Sequence, residues 1–374
     1  MKHLILFMLA VMAVSCDGQK NSPIPHELEQ DPLNPIDTVC KACKDSTVAA
    51  GEADLRYVVF DKNGPMNIPV VTSVRNKITF YYYLKSNIAN YGNSVMAYIG
   101  RGDSTLFCYR QGEYNTDSRL PIMSASKPVT AAVIMTLVEA GKLALDDKVS
   151  KYIPSFNNEK KEITIRQLLA HTSGLVYESR FDSRSDLTLQ QNIDSIALRT
   201  QLQFVPGKGA LYGSVSYGVA SRIAEIVEKK SWATIFQERI GSKCGMEDVV
   251  YSPDHPANPA TGYGIMCSMN EYLRFLTMIY NKGTYNGVRV LSVASVETME
   301  ADNSNRVDPT YGLGLWRSEF QNNTAKEVAV LSARGVHAWI NREKNYFGLL
   351  FTQAGFDTTI QPNLAFRKLV RENL

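Results

Sequence analysis

A serine and a lysine three residues apart, Ser124 and Lys127, stand in the stretch Met123-Ser124-Ala125-Ser126-Lys127-Pro128-Val129-Thr130, ahead of the apolar run Ala131 to Leu137. On a helix that spacing puts both side chains on one face, one turn apart, so the ammonium can reach the hydroxyl. That is the arrangement of an activated serine nucleophile. Pro128 marks the first helical turn, because a proline is tolerated where its missing N–H would have had no partner. Ser124 therefore falls at the helix N-terminus, where unsatisfied N–H groups and the positive end of the helix dipole favour a developing oxyanion. An isolated Ser-x-x-Lys is more often a surface pair. Here no other lysine follows a serine by three, and the helix behind the pair is apolar enough to be buried.

A serine hydroxyl is a poor nucleophile near neutral pH, so the chemistry needs a placed base and a proton carrier for the leaving group. Tyr212, in Tyr212-Gly213-Ser214 after Pro206-Gly207 and before an amphipathic helix, is the candidate carrier. A buried lysine loses basicity and a tyrosine beside a cation gains acidity, so the two can exchange a proton. Near the C-terminus, Leu331-Ser332-Ala333-Arg334-Gly335-Val336-His337 supplies candidates for substrate binding. Gly335 suits a backbone that must approach a substrate closely, and Arg334 offers a guanidinium fork for a carboxylate. If the segment is a strand, alternation sets Arg334 and Val336 opposite Gly335 and His337, so Arg334 and His337 cannot both face one cleft without a bulge. His171, in His171-Thr172-Ser173-Gly174-Leu175, reads as a structural turn histidine. No histidine pair has ligand spacing, so neither a metal nor another cofactor is expected.

Around these residues the pattern is helical in the middle and extended towards both ends. A helix is expected in the region 76–90, a hairpin from Ser94 to Tyr109 around Gly100-Arg101-Gly102-Asp103, and helices at Ile163 to Leu169, Val219 to Lys229, Trp232 to Ile240 and Cys267 to Tyr280. Strands follow at Tyr311 to Trp316, Val328 to Leu331, Val336 to Ile340 and Tyr346 to Thr352, then a helix from Leu364 to Glu372. The fold class is α+β: an antiparallel sheet built from both chain ends and flanked by helices, with a mostly helical inserted lobe.

Ser124-x-x-Lys127, Tyr212-x-Ser214 and a glycine-containing segment near the end, taken in that order, resemble the serine β-lactamase and penicillin-binding protein family, in particular class C β-lactamases, DD-peptidases and their esterase relatives. The resemblance covers residues 76 to 374 and implies a β-lactamase/transpeptidase-like fold. It further implies Ser124 as the acylated nucleophile, Lys127 as the group that deprotonates it, and Tyr212 as a partner in the proton traffic. Ser214 stands where the family often has asparagine, within reach of Lys127 or substrate. The family's Lys-Thr-Gly or His-x-Gly triplet is replaced here by the Ser332, Arg334, Gly335 and His337 segment, which argues against efficient β-lactam hydrolysis. The expected activity is that of an envelope serine hydrolase acting on an ester, an amide or a peptidoglycan-derived peptide. The alternative is a catalytically silent binding protein that keeps the cleft.

The 374 residues, 44% hydrophobic and 21% charged, are those of an ordinary globular chain, and a net charge of +3 with no basic run sets nucleic acid aside. Met1-Lys2-His3 and the apolar Leu4 to Val14 form a secretory signal too short to span a bilayer. Its end, Ala13-Val14-Ser15-Cys16, resembles a lipoprotein lipobox, which implies residues 1–16 as signal, lipidation at Cys16 and anchoring at a bacterial envelope membrane; plain secretion is the alternative. Residues 17–75, rich in Pro and polar residues at their start, read as a tether and N-terminal extension. Without Cys16 five cysteines are left, so in an oxidising compartment at least one has no disulfide partner.

Overall fold

The computed structural model describes residues 58–61, 64–67, 74–182 and 184–374. The signal segment with Cys16, most of the tether, and Cys40 and Cys43 lie outside the described residues.

After a short hairpin (Val58–Asp61 with Gly64–Asn67), the chain runs through helix α1 (Val74–Ser86) and strands β1 (Val95–Arg101) and β2 (Ser104–Gln111). It then leaves the sheet for a long helical excursion: α2 (Ser126–Glu139), α3 (Ile165–Leu169), α4 (Leu189–Arg199), α5 (Val215–Glu228) and α6 (Met269–Tyr280). It returns through β3 (Trp316–Gln321), β4 (Thr324–Leu331), β5 (His337–Asn341) and β6 (Tyr346–Phe351), and closes with α7 (Phe356–Asn373). The six strands form one antiparallel sheet in the order β3-β4-β5-β6-β1-β2, so β6 near the C-terminus pairs with β1 near the start of the domain. This is the sheet from both chain ends that the hydrophobic pattern predicts.

Strand alternation divides the sheet's two faces. Met96, Tyr98, Val328, Val330, Ala338, Ile340, Phe347 and Leu349 point into the large core shared with the helical lobe. Val95, Ala97, Ile99, Ala329, Trp339 and Leu350 point the other way, against Phe80 and Leu84 of α1 and Phe366 and Val370 of α7. Helix α2 is buried from Ser126 to Leu137, the condition of a helix that is apolar nearly all round.

Three expectations change. Tyr311 to Trp316 is a turn, not a strand. Gly314 has φ 85° and the Gly312 N–H donates to the Leu315 carbonyl, so pairing of β3 starts only at Trp316. Cys267 ends a short strand, Ile265–Cys267, that pairs with Leu120–Pro121 and Val250–Tyr251; α6 starts after it, capped by a Ser268–Glu271 box. Helix α7 begins at Phe356 and carries Pro362 inside it, its carbonyl accepting from the Tyr83 hydroxyl.

Candidate active site

A 3-10 turn, Met123–Ala125, runs directly into α2 and places Ser124 at the start of the helix. Met123 holds φ 48°, an uncommon conformation for a residue with a side chain and one that persists only where surroundings enforce it. The surroundings are a set of long-range ties. Ser332 Oγ donates to the Ile122 carbonyl at 2.7 Å, Tyr272 OH to the Ala125 carbonyl at 3.2 Å, and Thr130 Oγ1 to the Thr261 carbonyl at 2.7 Å. Ser126 Oγ accepts from the Ile265 N–H at 3.1 Å. The Ser124 turn is thus clamped by Ser332 just after β4, by α6 and by the 261–265 segment.

Lys127 is fully buried, and its three ammonium hydrogens meet three oxygens. They are Ser124 Oγ at 3.3 Å, Ser214 Oγ at 3.4 Å and the Gly262 carbonyl at 3.0 Å. No carboxylate is among them. Burial without an anionic partner pushes its pKa down from 10.5 to about 7.

Tyr212 is placed by a backbone lacing between residues 171–177 and 203–214. Gln203 N–H donates to the Gly174 carbonyl, Gly207 to Thr172, Leu211 to His171 and Ser214 to Tyr177. Gly213 lets the strands of this lacing touch, since a Cβ there would lie 2.5 Å from the Tyr177 carbonyl oxygen. The Tyr212 ring stacks on Trp316 with centroids 5.3 Å apart and meets His171 at 4.5 Å, and Lys127 Nζ lies 4.6 Å from its centroid. Burial pushes its hydroxyl pKa up, while the hydrogen bond with Ser124 pulls it down. His171, also buried, is pushed well below the usual histidine value by desolvation and by Lys127. It is a neutral ring packed among Tyr212, Tyr217 and Tyr311.

Ser214 occupies the N-cap position of α5, yet its side chain makes no cap bond. Its hydroxyl goes to Lys127 instead, although a serine there would ordinarily satisfy the helix's own N–H groups.

The Beta-lactamase family model matches residues 84–368 of this chain. The chain belongs to the Beta-lactamase family. Protein Rv1367c of Mycobacterium tuberculosis is 30% identical over 240 residues, half of this chain and 60% of that protein. Penicillin-binding protein 4 of Amycolatopsis lactamdurans is 29% identical over 217 residues, 49% of this chain and 57% of its own. The chain thus spans somewhat over half the length of these curated relatives. Among solved structures, one described as a putative beta-lactamase from Bacteroides dorei superposes with TM-score 0.73 at 27% identity, covering 79% of this chain and 98% of that one. The hydrolase EstCE1 shares the fold, with TM-score 0.68 at 16% identity.

In this member of the Beta-lactamase family the third motif departs from what alternation predicts. Ser332 to Val336 is the turn between β4 and β5, not a strand. Ser332 is buried and its hydroxyl is spent on Ile122, so it positions the Ser124 turn. Gly335, at φ 71°, is required by its neighbours: a Cβ would lie 2.7 Å from Thr352 and 3.0 Å from Thr359. His337 opens β5 on the side away from the helical lobe, fully buried beside Trp339. Desolvation and Arg367 hold its pKa well below the usual value. It does not line the cleft. Arg334 is exposed on the turn, next to the strand end tied to the Ser124 turn.

Sequence reading passed over Gly262, whose contribution is a backbone carbonyl and leaves no mark in residue type. Gly314 it read only as part of a strand from Tyr311 to Trp316. A Cβ there would meet Pro128 Cα at 2.8 Å and the Lys127 carbonyl oxygen at 3.0 Å, so this glycine lets the Tyr311–Trp316 turn sit on the head of α2. The signal was present in Tyr311-Gly312-Leu313-Gly314, where two glycines argue for a turn.

Proposed function

We propose that this protein is a serine hydrolase working through an acyl-enzyme on Ser124, with an ester, an amide or a peptide as substrate. The observation that carries the reading is Lys127: a buried amine with a pKa near 7, 3.3 Å from the Ser124 hydroxyl. At neutral pH a large fraction of it is unprotonated and able to act as a base.

In the proposed sequence Lys127 takes the Ser124 proton as Oγ bonds to the substrate carbonyl carbon. The oxyanion is held by the backbone N–H of Ser124 and by N–H groups of the Ser332–Val336 turn. Tyr212 delivers its phenolic proton to the leaving group, and the proton on Lys127 restores it. Water then attacks the acyl carbon, gives up a proton along the same route, and releases Ser124. Arg334 would hold a substrate carboxylate from the rim. Relatives named penicillin-binding proteins make β-lactams and D-Ala-D-Ala peptides the first acyl donors to try, with simple esters beside them. Lipidation of Cys16 would place the enzyme at a bacterial envelope membrane; metabolic fatty-acid labelling that survives in a Cys16→Ser variant overturns that part.

The central test is intact mass after exposure to a fluorophosphonate and to a penicillin. A mass increase mapped to Ser124 and absent in Ser124→Ala is expected. Folded protein that takes neither reagent overturns the enzyme reading and leaves the silent binding protein.

A further inference from the structure

Beside Ser214 lies a narrow cavity of about 10 Å3, enough for the centre of one water-sized molecule. Its lining includes Ser214, Gly262, Thr261, Asn192 and Asp182. Two of these touch Lys127, through the Ser214 hydroxyl and the Gly262 carbonyl. Two others carry buried side-chain oxygens with no hydrogen-bond partner among the described residues, Asn192 Oδ1 and Thr261 Oγ1. Asn192 is 4% exposed and Thr261 1%. The Asn192 amide cannot simply turn round, because its nitrogen donates to Asn258 Oδ1 at 3.0 Å and to Asp182 Oδ1 at 3.3 Å. Its free end is therefore a carbonyl, a pure acceptor. A buried acceptor without a partner costs free energy, and a polar cavity of one water's size is the usual remedy.

We propose that this cavity is a site for a single ordered water that carries a hydrogen bond from the Ser214 hydroxyl to Asn192 Oδ1 and Thr261 Oγ1, and so sets how strongly Lys127 can act as a base. The inference rests on the acyl-enzyme reading for its consequence in catalysis. Neutral Lys127 has a single lone pair, which must face the Ser124 hydroxyl to take its proton, so its two N–H groups go to the Gly262 carbonyl and to Ser214 Oγ. Ser214 is then an acceptor towards Lys127 both before and after the proton moves, and its own hydrogen needs an acceptor elsewhere. The water, passing its hydrogens to Asn192 and Thr261, provides one and strengthens Ser214 as an acceptor, more for the ammonium than for the amine. No bond to carbon changes and no proton leaves the site. Thr261 and Asn192 are positioning residues in this scheme.

Lys127 is the group whose titration the water would tune. The titratable groups around it are Tyr212 and Tyr217, whose rings lie 4.6 Å and 5.7 Å from Nζ, and His171, with Asp182 across the cavity. His171 is pushed far down and both tyrosines far up. Asp182 is raised by its burial and by Glu178.

The test has two arms. A high-resolution crystal structure of the wild-type protein reads the site whether or not Ser124 reacts. Density for a water within hydrogen-bond distance of Ser214 Oγ and Asn192 Oδ1 is expected, and a dry cavity overturns the proposal. In the second arm, acylation of Ser124 is followed against pH in the wild type, in Thr261→Val, which removes the hydroxyl and keeps the shape, in Ser214→Ala and in the double variant. Thr261→Val should slow acylation about tenfold and move the midpoint of the rate to lower pH, because the ammonium loses support. In the Ser214→Ala background the same substitution should do almost nothing. An unchanged midpoint in Thr261→Val, or an equal effect in both backgrounds, overturns the link to Lys127. A wild type that never acylates removes the proposed function instead, and leaves the water site to the crystallographic arm.

Discussion

Lys127 is both the most useful and the most costly residue of the site. Its pKa of about 7 predicts that acylation of Ser124 rises with pH and levels off above about pH 7, as the amine loses its proton. A pH profile of kcat/KM checks this, and a rate that falls through that range contradicts it. Lys127→Met should lower the rate on the order of a thousandfold. The same shift has a stability consequence of fixed sign. Because the folded value lies below the unfolded 10.5, the unfolded chain binds the extra proton between about pH 7 and 10.5, so stability rises with pH across that window. Below pH 7 the full cost of burying the ammonium applies. Lys127→Met is therefore expected to be more stable than wild type by about 1–3 kcal/mol at pH 6, with a smaller margin at pH 9, read by urea denaturation at the two pH values. His337 provides a contrasting prediction at the same scale. Since it faces away from the cleft, His337→Gln should leave kcat/KM within about twofold, whereas Arg334→Ala should raise KM for carboxylate-bearing substrates and leave neutral esters alone.

At the scale of elements, the site depends on how closely α2, the Tyr311–Trp316 turn and β4 approach one another. Gly314 lies against Pro128 at the head of α2 with φ 85°, so a methyl group there meets both a clash and a backbone conformation that L-residues avoid. Gly314→Ala should cost about 2–4 kcal/mol of stability and lower acylation even where the protein remains folded, because the displaced turn carries Trp316 away from Tyr212. Thermal unfolding and acylation rate measured together test this; a variant with wild-type values for both would show that the turn can relax without moving the tyrosine. The hydrophobic pattern located α2, the Ser94–Tyr109 hairpin and the late strands. It misread the turn at Tyr311–Trp316, because a few apolar residues between glycines satisfy a strand template while the hydrogen bonds that make a turn are not visible in residue type.

For the whole molecule, the junction of the chain's two ends is held by a buried charge cluster on the sheet's outer face. Glu327 of β4 is fully buried and paired with Arg367 and Arg371 of α7, and it also accepts from Asn341 Nδ2 at 2.9 Å. Arg367→Met leaves that carboxylate short of a partner in a low-dielectric setting, at an expected cost of about 3–5 kcal/mol. Chemical denaturation measures it directly, and a loss under 1 kcal/mol would mean that Arg371 alone neutralises the site.

The order of elements and the candidate trio of Ser124, Lys127 and Tyr212 were legible in the sequence, because helix spacing, a proline at the helix start and alternating apolar residues act over a few residues and leave a local record. The chain by itself could not say that Ser214 gives up its helix cap to face Lys127, that Gly262 supplies a carbonyl from 135 positions away, or that His337 turns its back on the cleft. Those depend on which surfaces the sheet and the helical lobe bring together. A backbone oxygen has no sequence signature, and the face on which a strand residue lands is fixed only when the register of the whole sheet is set.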